Sequence, residues 1–422
     1  MALSPAREVA LAALQTWRQR ERFADEVIHG LLATRGLSGP DRAFAMELFY
    51  GVLRHLTLLD FWIGLLRSDA LDLASRDLTR LGLYQLLLLE TSSHAAVYET
   101  VALAPARARS LVNALLRSAL RRKAELIAAA QQQPLWVRAS HPEFLVRRWE
   151  TRFGPEAAAA LCDWNNRTPE LFARINRLKI SIEEFFARYP DGREVLGHPN
   201  FALFRSIPTE ALESGHCYIQ DPSTPAACDL LDPKPGENVL DACAAPGGKT
   251  AYLAEIMTNR GLLLACDRDP ERLAVVQSNL DRLGVEIAVV VRQDWKKGKA
   301  GPEIARIGTF DRILVDAPCS NTGVMRRRVD VRWRLAPDDF DLMQATQLAI
   351  LNAVVPLLRP EGVLVYSTCS IEEEENERLV SRALQEFPFL SMCEQRTLLP
   401  FRENCDGAFV AKFVRTSQTE SP

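Results

Sequence analysis

Hydrophobic side chains recur every three or four positions over the first third of the chain, for example at Phe44, Leu48 and Val52. This spacing places apolar side chains on one face of a helix, so that several helices can share a core. The pattern extends from residue 5 to about residue 130. It predicts a bundle of about seven helices, the last of them at 110–129.

A shorter segment with mixed patterns follows the predicted bundle. We expect a linker at 131–140, followed by short helices at 143–151 and 156–165. A strand at 171–176, a helix at 181–189 and a second strand at 201–206 come next. Apolar runs of this length on either side of a helical pattern indicate a small α+β domain.

Beyond Pro222, short apolar runs alternate with helical patterns. The runs lie at 238–242, 262–266, 287–291, 312–317, 363–367 and 408–414. A short run with no polar face is typical of a strand that is covered on both sides. Alternation with helices indicates βαβ units in a parallel, doubly wound α/β sheet. We therefore predict three domains, at 1–135, 136–220 and 221–422.

The composition excludes several classes of protein. The chain is 47% hydrophobic and 25% charged, as folded soluble proteins are, so disorder over the whole length is excluded. A net charge of -3 argues against wholesale wrapping of a nucleic-acid duplex. The sequence has no secretory or membrane segment, and its nine cysteines form no C-x-x-C pair. We expect a cytoplasmic monomer with no membrane contact and no metal site.

The segment NVLDACAAPGGKT (238–250) predicts a strand, a loop of small residues and the start of a helix. Small residues let a ligand approach the backbone, and a helix N-terminus offers free N–H donors. The dinucleotide pattern G-x-G-x-x-G is missing, and Cys243 stands where a P-loop requires glycine. The loop therefore favours a ligand other than a nucleoside triphosphate.

Acidic residues end four consecutive predicted strands: Asp241, Asp267, Asp294 and Asp316. At the ligand-binding edge of a doubly wound sheet, Asp267 can accept both hydroxyls of a ribose, with Asp294 beside the adenine. A single aspartate there is equally typical of a helix N-cap. The set as a whole predicts an adenosine pocket without a phosphate clamp, which suits S-adenosyl-L-methionine.

Two cysteines follow the fourth and fifth of these strands, Cys319 in DAPCS and Cys369 in STCS, and we expect both to face one crevice. No histidine follows His216, which disfavours a Cys–His hydrolase. A thiolate added to C6 of a pyrimidine makes C5 nucleophilic, and Asp316 with the second thiol can complete a methyl transfer. We expect four other cysteines to be buried and inert: Cys162, Cys228, Cys266 and Cys393.

Four motifs resemble the RNA cytosine-5 methyltransferases of the NOL/NOP/Sun family. They are CAAPGGKT, DAPCSNTGV, VLVYSTCSI with the following ENE, and DGAFVAKF. The segments DRAFAMELFYGVLRHLTLLD and LVNALLR resemble the NusB-like domain of the RsmB (Sun/Fmu) branch, and HPEFLVRRW and ARINRLK its intermediate domain. This resemblance implies an all-α NusB-like bundle, a small α+β domain and a Rossmann-like class I methyltransferase domain.

The resemblance also implies roles for particular residues. Cys369 corresponds to the family's nucleophile, and Cys319 to the cysteine that assists release of the methylated product. Lys249 and Asp316 lie near the base in the family. The residues implied for S-adenosyl-L-methionine are Cys243, Ala244, Ala245, Pro246, Gly247, Gly248, Lys249, Asp267, Arg272, Asp294 and Asp316. The sequence departs from the family where Val329 replaces a usual proline.

The implied substrate is small-subunit (16S) ribosomal RNA. Basic and aromatic side chains suited to RNA occur at Arg117, Arg121, Arg122, Met325–Arg328, Arg332 and Trp333, although each is also typical of a solvated face. Two alternatives remain. One is a methyltransferase of exocyclic amino groups, which needs no thiol, and the other is an RNA-binding assembly factor without catalysis. The glutamate run 372–375 is typical of a helix N-terminus.

Overall fold

The computed structural model describes residues 4–89 and 91–416. Backbone contacts divide the chain into two compact units. A helical unit contains the residues up to Thr168 together with Met325–Leu335. A second, sheet-containing unit comprises Pro169–Val324 and the residues from Ala336 onward. The three domain boundaries expected from the sequence stay a prediction.

The helical unit is built from eleven α-helices within its described residues. They are α1 (Pro5–Trp17), α2 (Ala24–Thr34), α3 (Gly39–Arg54), α4 (Leu56–Leu66), α5 (Leu73–Leu83), α6 (Ser93–Leu103), α7 (Ala106–Arg121), α8 (Lys123–Gln131), α9 (Leu135–Arg138), α10 (Glu143–Phe153) and α11 (Pro155–Asn166). A π-turn at Tyr84–Leu88 extends α5, and a 3₁₀ turn lies at Val329–Trp333.

The all-helical prediction for this region is confirmed, but the last helix was predicted wrongly. The expected helix at 110–129 is two helices, α7 and α8, because Arg122 leaves the helical conformation with φ -103° and ψ 16°. The break allows Leu126 of α8 to be fully buried. Its carbonyl accepts a hydrogen bond of 2.9 Å from the indole of buried Trp62. Sequence periodicity alone does not detect such a break, because the apolar spacing continues across it.

The second unit begins with a small antiparallel sheet. Its elements are β1 (Leu171–Ile175), α12 (Ile182–Arg188), β2 (Arg193–Glu194), β3 (Phe201–Phe204), α13 (Thr209–Glu213) and β4 (Cys217–Ile219). The strand order is β2-β3-β1-β4. The two strands and the helix predicted for this α+β segment are confirmed, whereas β2 and β4, with two and three residues, are too short for a periodic pattern to reveal them.

A seven-stranded sheet with helices on both faces follows in the same unit. Its elements are α14 (Pro225–Leu231), β5 (Asn238–Asp241), α15 (Gly248–Ile256), β6 (Leu262–Asp267), α16 (Pro270–Leu283), β7 (Ala288–Arg292), α17 (Pro302–Ile307), β8 (Phe310–Asp316), α18 (Asp339–Val354), β9 (Leu358–Thr368), α19 (Glu377–Glu386), β10 (Leu390–Leu398), α20 (Pro400–Glu403) and β11 (Ala408–Arg415). Ile313 and Val315 of β8 join one apolar core, and Leu314 joins the other. Both faces are therefore covered, as the apolar runs predict.

The strand order β10-β11-β9-β8-β5-β6-β7 corrects the expectation of an entirely parallel sheet. The five strands from β9 to β7 are parallel, but β11 pairs antiparallel with both β9 and β10. The chain reverses its direction of travel across the sheet between β5 and β8. Doubly wound sheets bind ligands in the crevice that such a reversal opens at the carboxyl ends of the strands.

Among the described residues, one helical stretch is long and apolar enough to cross a membrane by length and composition, or two if a bent pair of helices counts as one span. One is the stretch Asp339–Leu357, half of which is buried within the protein. The other is the pair α3 and α4, bent by 75°. Buried core helices of soluble proteins have the same properties, so this is weak evidence for a membrane span.

Candidate active site

The loop between β5 and α15 approaches its surroundings closely. Gly247 has φ +102°, a conformation that side chains disfavour, and it precedes the first residue of α15. A Cβ atom on Gly248 would lie 2.6 Å from the ring of Tyr218. The two glycines are therefore required by backbone conformation and by space, and the predicted loop of small residues lies at the sheet reversal.

Two side chains of α16 hold this loop from outside. Arg272 donates from Nη2 to the Ala245 carbonyl at 2.9 Å, and its Nη1 lies 3.5 Å from the Asp267 carboxylate. Asn279 donates to the Pro246 carbonyl at 2.9 Å. Arg272 thus connects the loop to the end of β6.

Asp241 is the most deeply buried carboxylate at the strand ends, with no exposed surface. Its Oδ2 accepts a hydrogen bond of 2.7 Å from Thr250, while its Oδ1 is buried and has no partner. Burial raises the pKa of Asp241 to about 7, and the hydrogen bond from Thr250, the charge of Lys249 and the nearby backbone N–H of Cys243 only partly oppose this. An unpartnered buried oxygen beside the glycine loop is a polar group that a ligand can satisfy.

The other predicted acidic residues have different surroundings. Asp267 is buried and accepts from the backbone N–H of Asp269 at 3.0 Å. Asp294 is half-buried and accepts from the backbone N–H of Lys296 at 3.2 Å, where it caps a short 3₁₀ turn. All of them follow strands as predicted, and Asp294 also has the capping contact expected of any aspartate in that position.

Asp316 lies at the end of β8 between two donors. Its Oδ2 lies 2.6 Å from the ammonium of Lys249, and its Oδ1 accepts from the Ser367 hydroxyl at 2.7 Å. Burial lowers the pKa of Lys249, but the charge and hydrogen bond of Asp316 outweigh it, and the net pKa is raised. Lys249 therefore stays charged at neutral pH, and both residues are fixed.

The two strand-end cysteines face each other. The Sγ atoms of Cys319 and Cys369 are 3.1 Å apart, and both residues are half-buried. Asn321 Oδ1 accepts from the Cys369 thiol at 3.2 Å, and Asn321 Nδ2 donates to the Cys319 carbonyl at 2.8 Å. A hydrogen bond with Cys369 and burial raise the pKa of the Cys319 thiol well above its ordinary value. The expectation that both thiols face one crevice agrees with this geometry.

Backbone contacts join the loops that carry these cysteines. The Gly323 N–H donates to the Cys369 carbonyl at 2.9 Å, and the Gly407 N–H donates to the Gly323 carbonyl at 2.8 Å. A Cβ atom on Gly323 would lie 2.6 Å from the Gly407 oxygen and 2.8 Å from the Cys369 oxygen. The DAPCSNTG, STCS and DGAF segments therefore meet through contacts that leave no space for a side chain.

Some sequence predictions outside the central site are corrected. Cys162, Cys228 and Cys266 are buried, but Cys393 is exposed because it lies on β10, at the edge of the sheet. Within the described residues, 4–89 and 91–416, no group of three or more His, Cys, Asp or Glu side chains could hold a metal ion.

The arginines suggested as RNA contacts fall into two groups. Arg117 and Arg121 are exposed on α7. Arg326 is instead buried, with its guanidinium 4.1 Å from the ring centroid of Trp164. Arg332 is fully buried and donates to the Asn165 carbonyl at 2.9 Å. Burial lowers the pKa of Arg332 to about 9. The suggestion that Arg326 and Arg332 contact RNA is therefore wrong, because both support the helical unit from within.

Two residues near the two cysteines, Glu375 and Asn321, were missed by sequence reasoning. Glu375 is fully buried, two residues before α19 rather than at its first turn. Asn321 is likewise outside the predicted set. Asp241 was identified as a strand-end acid, but Glu375 and Asn321 carried no signal beyond their closeness to the cysteine motifs.

Comparison with known families agrees with this architecture. Residues 228–414 match the family described as 16S rRNA methyltransferase RsmB/F, residues 4–121 the NusB family, and residues 141–191 the RsmF/B-like ferredoxin-like domain. The probable ribosomal RNA small subunit methyltransferase B of Bacillus subtilis is 34% identical over 90% of this chain and 88% of its own length. The chain belongs to the ribosomal RNA small subunit methyltransferase B family.

Other members and relatives of the methyltransferase B family extend the comparison. The Escherichia coli K12 ribosomal RNA small subunit methyltransferase B is 35% identical over 90% of this chain and 92% of its own length. A solved methyltransferase homologue from Pyrococcus horikoshii is 30% identical, with a TM-score of 0.58 over 67% of this chain and 97% of its own. The predicted family and the predicted NusB-like, α+β and Rossmann-like methyltransferase folds are confirmed.

Proposed function

We propose that this protein transfers a methyl group from S-adenosyl-L-methionine to C5 of a cytidine in small-subunit (16S) ribosomal RNA. The observation that carries the proposal is the Cys319–Cys369 pair, with sulfurs 3.1 Å apart at the ends of adjacent strands. Family membership supports a ribosomal RNA methyltransferase, and the two thiols support carbon 5 as the acceptor. We also propose that the protein acts as a cytoplasmic monomer.

The residues of the β5–α15 loop and of the neighbouring strand ends suit S-adenosyl-L-methionine. The glycine loop (Cys243, Ala244, Ala245, Pro246, Gly247, Gly248 and Lys249) gives close backbone approach, and Asp241 has a buried oxygen without a partner. We assign binding of the adenosine group to Asp267 and Asp294, and support of the glycine loop to Arg272. Bound there, the cofactor would supply an electrophilic methyl group on a sulfonium.

The thiols account for activation of the pyrimidine, which is otherwise a poor carbon nucleophile. In the proposed mechanism, the Cys369 thiol passes its proton to N3 of the base while its Sγ bonds to C6, and the electrons of the former C5–C6 double bond make C5 nucleophilic. Asp316, held by Lys249 and Ser367, accepts from the protonated N3. After C5 is methylated, its proton passes to solvent, the electrons of that C–H bond restore the C5–C6 double bond, and Cys369 leaves C6 and takes back the N3 proton. We assign assistance in that last step to Cys319.

The proposal requires the target base to leave its stack. A half-buried thiol is accessible only to a base that has been everted from the RNA. Eversion costs less free energy in loops and single-stranded segments of structured RNA than in a duplex. We propose exposed Arg117 and Arg121 as phosphate contacts of the helical unit.

Cysteine variants test this mechanism directly. Cys369→Ser should abolish methyl transfer to ribosomal RNA, because a hydroxyl does not add to C6. Cys319→Ala should trap a covalent protein–RNA adduct, visible as a shifted band on a denaturing gel. Cys393→Ser is the matched control, since Cys393 is exposed on β10, and it should act like the wild type. Normal turnover of Cys319→Ala without an adduct would refute the division of roles.

The same experiments address the alternatives. A methyltransferase of exocyclic amino groups would retain activity in Cys369→Ser, because that reaction forms no thiol adduct. A non-catalytic assembly factor would show no S-adenosyl-L-methionine binding by calorimetry. Bisulfite mapping of ribosomal RNA from cells with and without the protein identifies the modified cytidine.

A further inference from the structure

A carboxylate is buried directly beneath the two cysteine loops. Glu375 has no exposed surface and, among the described residues, forms no ion pair. Its Oε2 accepts from the Ser320 backbone N–H at 2.9 Å and from Gln347 Nε2 at 2.9 Å. Its Oε1 accepts from the hydroxyls of Ser320 and Ser370, the latter at 2.6 Å. Four donors converge on one side chain that only accepts while ionised.

The positions of these donors connect the carboxylate to both thiols. Ser320 directly follows Cys319, and Ser370 directly follows Cys369. The two serine hydroxyls are also 3.1 Å apart, so the contacts form one compact network. Gln347, which donates to Glu375, also donates to the Pro318 carbonyl at 3.0 Å. One buried group therefore fixes the residue after each cysteine.

The charge of this carboxylate acts on the Cys319 thiol. It is one of the causes that raise the pKa of Cys319, after the hydrogen bond with Cys369, burial and the charge of Cys369. With the sulfurs 3.1 Å apart, one thiol can donate its proton to the other sulfur. Glu375 accepts from the backbone N–H that directly follows Cys319, so its negative charge opposes a second negative charge on that sulfur.

We propose that Glu375 is a positioning residue that holds the two cysteine loops together and keeps a second negative charge off Cys319. The inference rests on the proposed function for its meaning in catalysis. The contacts of Glu375 are present in the free enzyme, so their effect on Cys319 can be tested without substrate.

Glu375→Gln separates charge from shape. The amide is nearly isosteric and keeps an oxygen for the Ser320 N–H and Gln347. The two serine hydroxyls can rotate to accept from the new NH₂ group. The loops should therefore stay in place while the charge is lost. Glu373→Gln is the matched control, because Glu373 lies two residues away, is partly exposed and pairs with Arg378 on the surface.

The first measurement is the rate of alkylation of each cysteine by iodoacetamide from pH 6 to pH 10, followed by peptide mass spectrometry. In the wild type and in Glu373→Gln, Cys319 should react slowly at pH 7.5, because its pKa is raised. In Glu375→Gln the midpoint for Cys319 should fall by about one pH unit or more, since one nearby charge at this burial has that effect. An unchanged alkylation profile would overturn the proposal.

The second measurement is steady-state methyl transfer to ribosomal RNA. Glu375→Gln should lower kcat about tenfold and change the KM for RNA less than twofold, because Glu375 is buried and its neighbours, not RNA, occupy its oxygens. A fall in kcat accompanied by a rise of similar size in KM would overturn the positioning role of Glu375. If the wild type does not methylate RNA, the proposed function fails, and the alkylation profile still decides the role of Glu375.

A shortened acid supplies an independent test. Glu375→Asp keeps the charge and withdraws the carboxylate from the serines, so Cys319 should stay slow to react with iodoacetamide while kcat falls. Should Glu375→Gln not fold, this variant carries the test. Wild-type turnover of Glu375→Asp, or rapid alkylation of its Cys319, would refute the inference.

Discussion

Replacing Asp241 by asparagine should stabilise the protein at alkaline pH. The pKa of this buried carboxyl rises from 3.8 to about 7 on folding. A carboxyl whose pKa is raised in the folded state stabilises that state below the unfolded pKa, and the stabilisation is lost as pH rises through the folded pKa. Wild-type stability should therefore fall between about pH 4 and pH 7 through this group.

The magnitude follows from the size of the shift. About three pKa units at ~1.36 kcal/mol each correspond to about 4 kcal/mol by pH 8, of which about 2–3 kcal/mol develops between pH 5 and pH 8. Asparagine removes this charge and can still accept from Thr250. Its NH₂ group brings a buried donor that costs about 1–3 kcal/mol if unpaired. Asp241→Asn should therefore gain about 1–3 kcal/mol at pH 8.

Urea unfolding of both proteins at pH 5, 6, 7 and 8 measures this difference. The free-energy advantage of Asp241→Asn should increase with pH and level off above pH 7. Asp338→Asn is the control, since Asp338 is exposed and makes no side-chain cap, and it should show no such trend. A constant offset at every pH, or a loss of stability at pH 8, would refute the reasoning.

Two further predictions concern the loops around the thiols. Gly323→Ala places a Cβ atom 2.6 Å from the Gly407 oxygen. The free energy of unfolding in urea should fall by about 1–3 kcal/mol, and methyl transfer should fall more than tenfold. Wild-type turnover would contradict this prediction. Hydrogen peroxide should oxidise one thiol to a sulfenic acid, which the other displaces with loss of water to form a Cys319–Cys369 disulfide. Dithiothreitol should restore the activity, and the Cys393→Ser variant should lose and regain activity in the same way. An inactive protein in which mass spectrometry finds no Cys319–Cys369 disulfide would rule this prediction out.

Most of the sheet could be predicted because its strands are covered on both faces. Such strands are continuous apolar runs, and the structure has strands at all six runs that the sequence predicted. The exception is β10, where the residues from Ser391 to Arg396 are exposed. This edge strand pairs only with β11 and packs little of its surface, so its sequence has no apolar signal. An antiparallel edge of this kind is detected only when its partner is known.

The centre of the site could be predicted from strand ends, because parallel strands direct their carboxyl ends to one edge. This rule places Cys319 and Cys369 together from the sequence alone. It could not place Glu375, whose run of glutamates is typical of an exposed helix start. Burial of Glu375 depends on serines from two loops that are distant in sequence. Arg332 shows the converse, since an arginine that suggested RNA binding is buried by neighbours from other helices.

Asp241 and Glu375 are both buried carboxylates with raised pKa, yet their removal should affect stability in opposite directions. Asp241 has one oxygen without a partner, so its charge is poorly compensated and its loss relieves the fold. Glu375 has four donors, and Glu375→Ala would leave buried donors unpaired at about 1–3 kcal/mol each. Both variants should nevertheless lose methyl transfer. A carboxylate whose removal stabilises the fold is retained for its chemistry. A gain in stability with loss of activity would therefore indicate ligand binding at Asp241. A loss of both stability and activity would indicate positioning at Glu375.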